Sequence, residues 1–343
     1  MPTTSQRTQR YVLAARPSTP TGPVDDGVLR YEDDAEVPEL QDNQVLVRVE
    51  WLSMDTSIRG DMNDTRSYRA PAPLGQAMRG RGAGTVQASR HPDFAAGDRV
   101  CGMLGWQQLA VTDGSALRPV SDGVPLTASL NALGIAGQTA WIGMNDIGRP
   151  QPGETVVVTA AAGGVGYMAV QLAVAAGARV IGIAGSPEKC AWVRELGAED
   201  CIDYKAEDVA EAVTRLCPDR IDVIFDNVGG AMLDALLPHV AVNARIVLCG
   251  AISRYEGGRG PEPLRNWFHL LPNRVRMQGY IYADHEHRFA EIEADILPRI
   301  RSGQIQVREQ VIDGLHAAPQ ALRMLFDGAN IGKLLVRVGT AGS

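Results

Sequence analysis

The chain lacks the features that mark several large classes of protein. Phe, Trp and Tyr make up only 5% of the 343 residues. Nowhere are they interleaved with basic residues, which excludes a stacking platform for single-stranded nucleic acid. Positive charge is short as well: 33 Lys and Arg stand against 40 Asp and Glu, a net of −7. No global field therefore draws the chain to nucleic acid or an anionic membrane, and any bound anion must be held by local geometry. The five cysteines, Cys101, Cys190, Cys201, Cys217 and Cys249, are odd in number and scattered, with no CxxC pair and no Cys/His cluster at zinc-ligand spacing. They are expected to be reduced, structural thiols. The six histidines read as loop or helix-end residues, His239 closing a helix, and no metal site is expected. The first ten residues lack the apolar core of a signal peptide, which points to the cytoplasm.

Charge is absent in one more place. Thr155 to Ala178 runs 24 residues without a charged side chain, long enough to span a bilayer. Twelve of the 24 are Ala or Gly, and the run divides into a β-branched piece (Thr155–Thr159), a glycine turn and an Ala-rich helical piece. That pattern is a buried parallel strand feeding a packed helix rather than a membrane span.

Glycine is abundant, at 37 residues against roughly 7% in an average protein. To about residue 133 the chain is rich in Pro, Gly and short β-type runs, such as 44–50, 84–86 and 98–101, with turns every ten or so residues. This predicts a mainly β domain. From Pro152 strand and helix patterns alternate, with strands at 155–159, 179–184, 200–203, 221–225, 245–248 and 275–281. Six strands with interposed helices predict an α/β fold, a doubly wound parallel six-stranded sheet. Helices near 288–302 and 319–327 and a last strand at 334–338 follow. The expected division is 1–133, 134–305 and a C-terminal segment 306–343.

Ala161-Ala162-Gly163-Gly164-Val165-Gly166 fits the dinucleotide fingerprint with its first glycine replaced by alanine. Gly163 lets backbone approach a pyrophosphate, Gly166 lets the helix pack on the sheet, and the helix N-terminus offers N–H groups to an anion. About 20 residues on, an NAD site places an acid against the ribose 2′-hydroxyl. Gly185 stands in that slot, followed by Ser186 and, one turn into the next helix, Lys189. NADP is therefore preferred. Glu188 argues against this unless it turns to solvent, and Lys189 also reads as an ordinary solvated lysine.

The stretches Met78–Gly84, Gly102–Trp106, Thr159–Gly166, Phe225–Gly230, Cys249–Tyr255 and Gly328–Lys333 together resemble the zinc-free medium-chain reductases. Within these the chain is most similar to the prostaglandin/leukotriene reductases, plant double-bond reductases and bacterial curcumin reductases. The resemblance implies a GroES-like mainly β domain, closed by the C-terminal strand, and a Rossmann domain that binds NADPH. It implies reduction of the C=C bond of an α,β-unsaturated ketone or aldehyde, an enone or enal. Separately, an exposed sheet edge at Val275–Ile281 is costly, which predicts pairing across a two-fold axis, a homodimer. The cofactor residues that the resemblance implies, beside the Ser186 read from its position above, are Gly163, Gly164, Val165, Gly166, Lys189, Tyr204, Asn227, Cys249, Gly250, Ala251, Ile252, Ser253, Tyr255, Tyr280, Ile281, Tyr282 and Asn330.

Hydride delivered to the β-carbon moves negative charge onto the carbonyl oxygen, and Tyr255 is the implied catalytic hydrogen-bond donor to that oxygen. The glycine-rich run Glu256–Pro261 behind it is expected to act as a lid. Similar enzymes read Asp-Pro-Tyr-Met-Arg where this chain has Asp55-Thr56-Ser57-Ile58-Arg59, so Ser57 replaces an aromatic of the substrate pocket. Arg59 and Tyr68 are the expected substrate contacts, although Arg59 also reads as a structural loop arginine. A quinone reductase of the same superfamily and a non-catalytic NADPH-binding protein remain as alternatives.

Overall fold

The structure, a computed structural model, describes residues 6–21, 24–65, 67–255 and 263–339. The chain forms two compact units: Met1–Asn131 with Glu309–Ala329 and Leu334–Ser343, and Ala132–Arg308 with Asn330–Lys333.

The first unit opens with β1 (Arg7–Leu13) and β2 (Leu29–Glu36), an antiparallel pair. There follow β3 (Val45–Ser53), a short helix α1 (Ser57–Asp61), β4 (Arg81–Ser89), β5 (Arg99–Met103), β6 (Leu109–Thr112) and β7 (Arg118–Pro119). Alternation along β3 explains its place: Val45, Val47 and Val49 point into a core shared with Val86 and Val100, while Arg48 and Glu50 point out. The register slips between Leu46 and Val47 and between Val49 and Trp51, so the strand bends.

The second unit begins with α2 (Ile135–Ile142), continued by a π-helical turn at Gly143–Gly148. Then come β8 (Thr155–Val158), α3 (Gly166–Ala175), β9 (Arg179–Ala184), α4 (Pro187–Glu195), β10 (Asp200–Asp203), α5 (Val209–Leu216), β11 (Ile221–Asp226), α6 (Gly230–Leu236), β12 (Val240–Leu248), β13 (Arg276–Gly279) and α7 (Phe289–Arg301). The uncharged run is a strand and a helix, as expected: all four residues of β8 are buried, and so is α3 from Gly166 to Ala173. Neither is long enough to cross a membrane, nor is any other helix among the described residues. The chain ends with β14 (Glu309–Asp313), α8 (Ala318–Phe326) and β15 (Lys333–Arg337). Strand β15 pairs antiparallel with β3, and the first unit's main sheet runs β14-β15-β3-β4-β5-β7, with β6 also on β3.

The second unit's sheet runs β10-β9-β8-β11-β12-β13, and all its pairs are parallel. This is the doubly wound order, whose direction of growth reverses between β8 and β11. In sheets of this order the ligand crevice lies at that point, beyond the carboxyl ends of the two strands.

Some expected boundaries moved. The strand expected at 275–281 stops at Gly279, and the Tyr280 hydroxyl donates to the Thr139 carbonyl at 2.6 Å, which draws the chain off the sheet. Strand β12 starts at Val240, five residues before the expected 245, because α6 ends at Leu236 and a tight turn around Pro238 closes it. Helix α5 begins at Val209 since the Asp208 side chain accepts from the Glu211 N–H at 3.0 Å.

Candidate functional site

The crevice is built mostly from backbone. After β8 the chain turns through Ala160, whose φ of 48° is unusual for a residue with a side chain. The Gly163 N–H closes on the Ala160 carbonyl at 2.9 Å, and the Tyr167 N–H bonds the Gly163 carbonyl at 3.0 Å to start α3. A Cβ on Gly166 would stand 2.1 Å from the Ala160 oxygen, so only glycine permits this turn. No side chain caps α3, which leaves its first N–H groups facing the turn. Behind the loop the Gly332 N–H reaches the Ala162 carbonyl at 2.8 Å. The buried Asn330 amide donates to the Gly332 carbonyl at 3.0 Å, so Asn330 shapes the loop's support.

At the end of β9, a Cβ on Gly185 would lie 2.7 Å from the Tyr204 ring. A side chain in the slot expected to lack an acid would have to push the Tyr204 ring aside. Ser186 caps α4 by accepting from the Lys189 N–H at 3.3 Å. Burial pulls the Lys189 pKa down and repulsion from Lys205 adds to it, with Glu188 opposing both. Glu188 also faces Arg308 at 3.5 Å, and this contact answers the objection it raised. Lys205 was missed from sequence; its signal was its place beside Tyr204, whose ring its ammonium approaches at 5.9 Å from the centroid.

Beyond β11 a polar network ties three segments together. Asp226 is fully buried, and its carboxylate accepts from the Thr159 hydroxyl at 2.9 Å and from the N–H groups of Val228 and Gly229. Burial raises its pKa against those three donors. Thr159 in turn accepts from the Asn227 N–H, and the Asn227 amide donates to the Thr159 carbonyl at 2.7 Å. The N–H groups of Cys249 and Gly250 bond the Asp226 carbonyl, those of Ile252 and Ser253 bond the Asn227 and Val228 carbonyls, and the Ser253 hydroxyl donates to Val228. Asn227 and the 249–253 run, with Ala251 inside it, are therefore one assembly. Tyr255 follows one short helical turn later, its N–H on the Ile252 carbonyl at 3.0 Å. Thr159 and Asp226 lay in the quoted stretches without an assigned part; only the fold shows that their strands are neighbours.

Burial pushes the Cys249 thiol up to about 12, which makes it a poor nucleophile. Tyr280 beside it is committed through its hydroxyl to Thr139. After Ile281, Tyr282 is buried with its ring parallel to Phe289 at 5.9 Å. The expected lid at 256–261 lies outside the described residues.

In the first unit Arg59 is held by its own chain. Arg59 is 1% exposed, and its guanidinium donates to the Asn63 side chain at 2.8 Å and the Thr19 carbonyl at 2.9 Å. It braces the 19–21 segment from inside, in keeping with the structural reading that its sequence also allowed. Tyr68 is 53% exposed, with the Arg69 guanidinium 5.1 Å from its ring centre. Ser57 accepts from Arg69 at 3.3 Å. Among the described residues, no three His, Cys, Asp or Glu side chains cluster as metal ligands do.

A doubly wound nucleotide unit joined to a mainly β unit that the last strand completes defines the medium-chain reductase class. Residues 9–120 match the family described as N-terminal domain of oxidoreductase, and residues 164–297 match the one described as zinc-binding dehydrogenase. The chain is 40% identical over 340 residues to an NADPH-dependent curcumin reductase from Escherichia coli, covering 97% of both chains. It is 38% identical over 307 residues to a tobacco (Nicotiana tabacum) 2-alkenal reductase (NADP+-dependent), covering 88% of this chain and 89% of that one. The solved structure of CurA from Vibrio vulnificus in complex with NADPH superposes with a TM-score of 0.90 at 37% identity, covering 97% of this chain and all of that one. The chain belongs to the zinc-free medium-chain reductases, the group that includes the curcumin, alkenal and prostaglandin reductases.

Proposed function

We infer that this protein is an NADPH-dependent reductase of the C=C bond of α,β-unsaturated ketones and aldehydes, working without a metal. The end of β9 supports the cofactor assignment: no acid stands at Gly185, against which the Tyr204 ring lies, and Lys189 and Lys205 are near enough to repel each other, two cations for a 2′-phosphate. The residues present fit the dinucleotide. Gly163–Gly166 and the uncapped start of α3 would receive the pyrophosphate, and Asn227 with the Cys249–Ser253 run would border the nicotinamide riboside.

Bound NADPH supplies a hydride to the β-carbon of the acceptor. The chain's task is to hold that carbon in line and stabilise the charge that shifts to the carbonyl oxygen. Tyr255 donates a hydrogen bond to that oxygen. The Asp226 network keeps the backbone on either side of Asn227 rigid, so that the geometry is set before substrate arrives.

Residues 1–133 with 306–343 form the substrate domain and 134–305 the NADP domain in this reading. The protein acts in the cytoplasm on a small molecule. It pairs as a homodimer through β13, an edge strand beside the exposed Trp267, Phe268 and Leu271. Steady oxidation of NADPH against enones, enals, quinones and simple ketones tests the activity, with the product identified by NMR. Loss of the alkene signal with the carbonyl retained is expected; an alcohol product overturns the reading. A monomeric mass at micromolar concentration overturns the dimer.

A further inference from the structure

The start of α4 carries an acid that a phosphate site would reject. Glu188 lies in the first turn of the helix, next to Lys189, and its charge acts on the Lys189 ammonium. A carboxylate there pairs with the lysine that a 2′-phosphate needs, and it repels the phosphate as well. As a first-turn residue it also favours the helix dipole, so α4 gains from keeping it. Against it stands Arg308, whose Nη2 lies 3.5 Å from the Glu188 Oε1.

Arg308 is held from several sides. Its guanidinium lies over the Trp192 ring, 5.0 Å from the ring centre. Trp192 is one turn along α4 from Glu188, and it is buried and packed on the Tyr167 ring of α3 at 5.5 Å. The backbone is pinned too. The Arg308 carbonyl accepts from the Lys333 N–H at 3.0 Å, and a Cβ on Gly332 would stand 2.5 Å from the same oxygen. Two residues earlier Gln306 exchanges two hydrogen bonds with the Gln171 side chain of α3, at 2.7 and 3.1 Å. An exposed ion pair between two mobile side chains is worth little, because both must be ordered to form it. Here the guanidinium is already set on the indole, and only Glu188, at 72% exposure, has to be caught.

We propose that Arg308 is a positioning residue for the 2′-phosphate site: it holds Glu188 away from Lys189, so that the ammonium meets the phosphate and NADPH is preferred to NADH. The proposal rests on the NADPH reading above and adds the residue that sets the strength of the preference. Arg308 acts through Glu188 and does not touch the phosphate, so its effect vanishes once residue 188 carries no charge. A carboxylate released from Arg308 falls back toward Lys189 and weakens NADPH. NADH has no 2′-phosphate and loses nothing.

The test is a double-mutant cycle read by fluorescence titration with NADPH and with NADH. Arg308→Met keeps an apolar side chain on Trp192 and removes the charge. It is expected to weaken NADPH about fivefold, the upper end for an exposed ion pair, and to leave NADH within about twofold of native. Glu188→Gln alone is expected to bind NADPH at least as tightly as the native protein. Arg308→Met combined with Glu188→Gln is expected to match Glu188→Gln alone, because nothing remains for Arg308 to restrain. Unchanged NADPH affinity in Arg308→Met overturns the proposal, and so does an equal loss for NADH. A double variant as weak as Arg308→Met also overturns it, since Arg308 would then meet the phosphate itself. A native protein that binds NADH as tightly as NADPH defeats the NADPH reading, and the proposal falls with it.

Discussion

The glycine turn of the second unit and the sheet face of the first that carries Arg81 and Arg118 are made differently. At the crevice, chain direction does most of the work: a left-handed Ala160, an obligatory Gly166 and an uncapped helix aim N–H groups at one place. On the β4–β5–β7 face the backbone is ordinary strand, and which side chains meet is set by the register. A backbone site tolerates variation in what surrounds it but not in its glycines. A side-chain site can be rewritten residue by residue, which makes it the place for specificity to diverge between relatives.

The largest effect should come from placing an acid in the crevice. Gly185→Asp forces the Tyr204 ring away and sets a carboxylate against the 2′-phosphate; NADPH affinity is expected to fall by about 100-fold or more, roughly 2.7 kcal/mol. Fluorescence titration with NADPH and NADH measures it, and equal loss for both cofactors would show a folding defect rather than a phosphate effect.

Tyr255→Phe is expected to lower kcat for an enone at least tenfold while NADPH still binds, read by steady-state kinetics beside the titration. Unchanged turnover would remove Tyr255 from catalysis.

Lys189→Ala is expected to weaken NADPH binding about tenfold, in line with roughly 1.5–3 kcal/mol for a charge-assisted hydrogen bond, and to leave NADH binding as it was. The ammonium is the form that meets phosphate. Because burial and Lys205 depress the pKa of Lys189, native affinity should decline with rising pH before an ordinary lysine would titrate. Lys189→Arg should remove that alkaline decline.

The smallest effect on activity and a clear one on stability belong to Arg59. Arg59→Met leaves the Thr19 carbonyl and the Asn63 side chain without their donor, at a cost of about 1–3 kcal/mol in chemical denaturation. Enone KM should not move. A KM that rises with little loss of stability would return Arg59 to the substrate site and blur the contrast between the two regions.

That contrast also explains what could be read in advance. The uncharged run showed a strand and a helix because β-branched residues gave way to Ala and Gly at one turn, and the glycine loop carried its chemistry in three residues. Lys189 was legible because the fingerprint supplies a ruler of about 20 residues to its slot. Asp226 was not, since nothing local tells that the ends of β8 and β11 are neighbours; that follows from strand order. Arg59 had two readings for a related reason. A cation in a pocket motif looks the same in sequence whether it points outward or back into the chain. Arg81 and Arg118 are 37 positions apart by number, and only the ladder through β5 sets them on one face.

The support beneath the glycine loop has a consequence for how the protein is made. Residues 330–333 belong with the second unit although their neighbours on both sides belong to the first, and Gly332 bonds the Ala162 carbonyl. During synthesis the loop therefore waits for a segment about 170 positions further on. Strands β8 to β13 precede that segment, so the glycine loop gains its backing only after the rest of its own unit has been made. A chain cut near residue 310 should show the fluorescence of packed Trp192 and yet hold NADPH poorly.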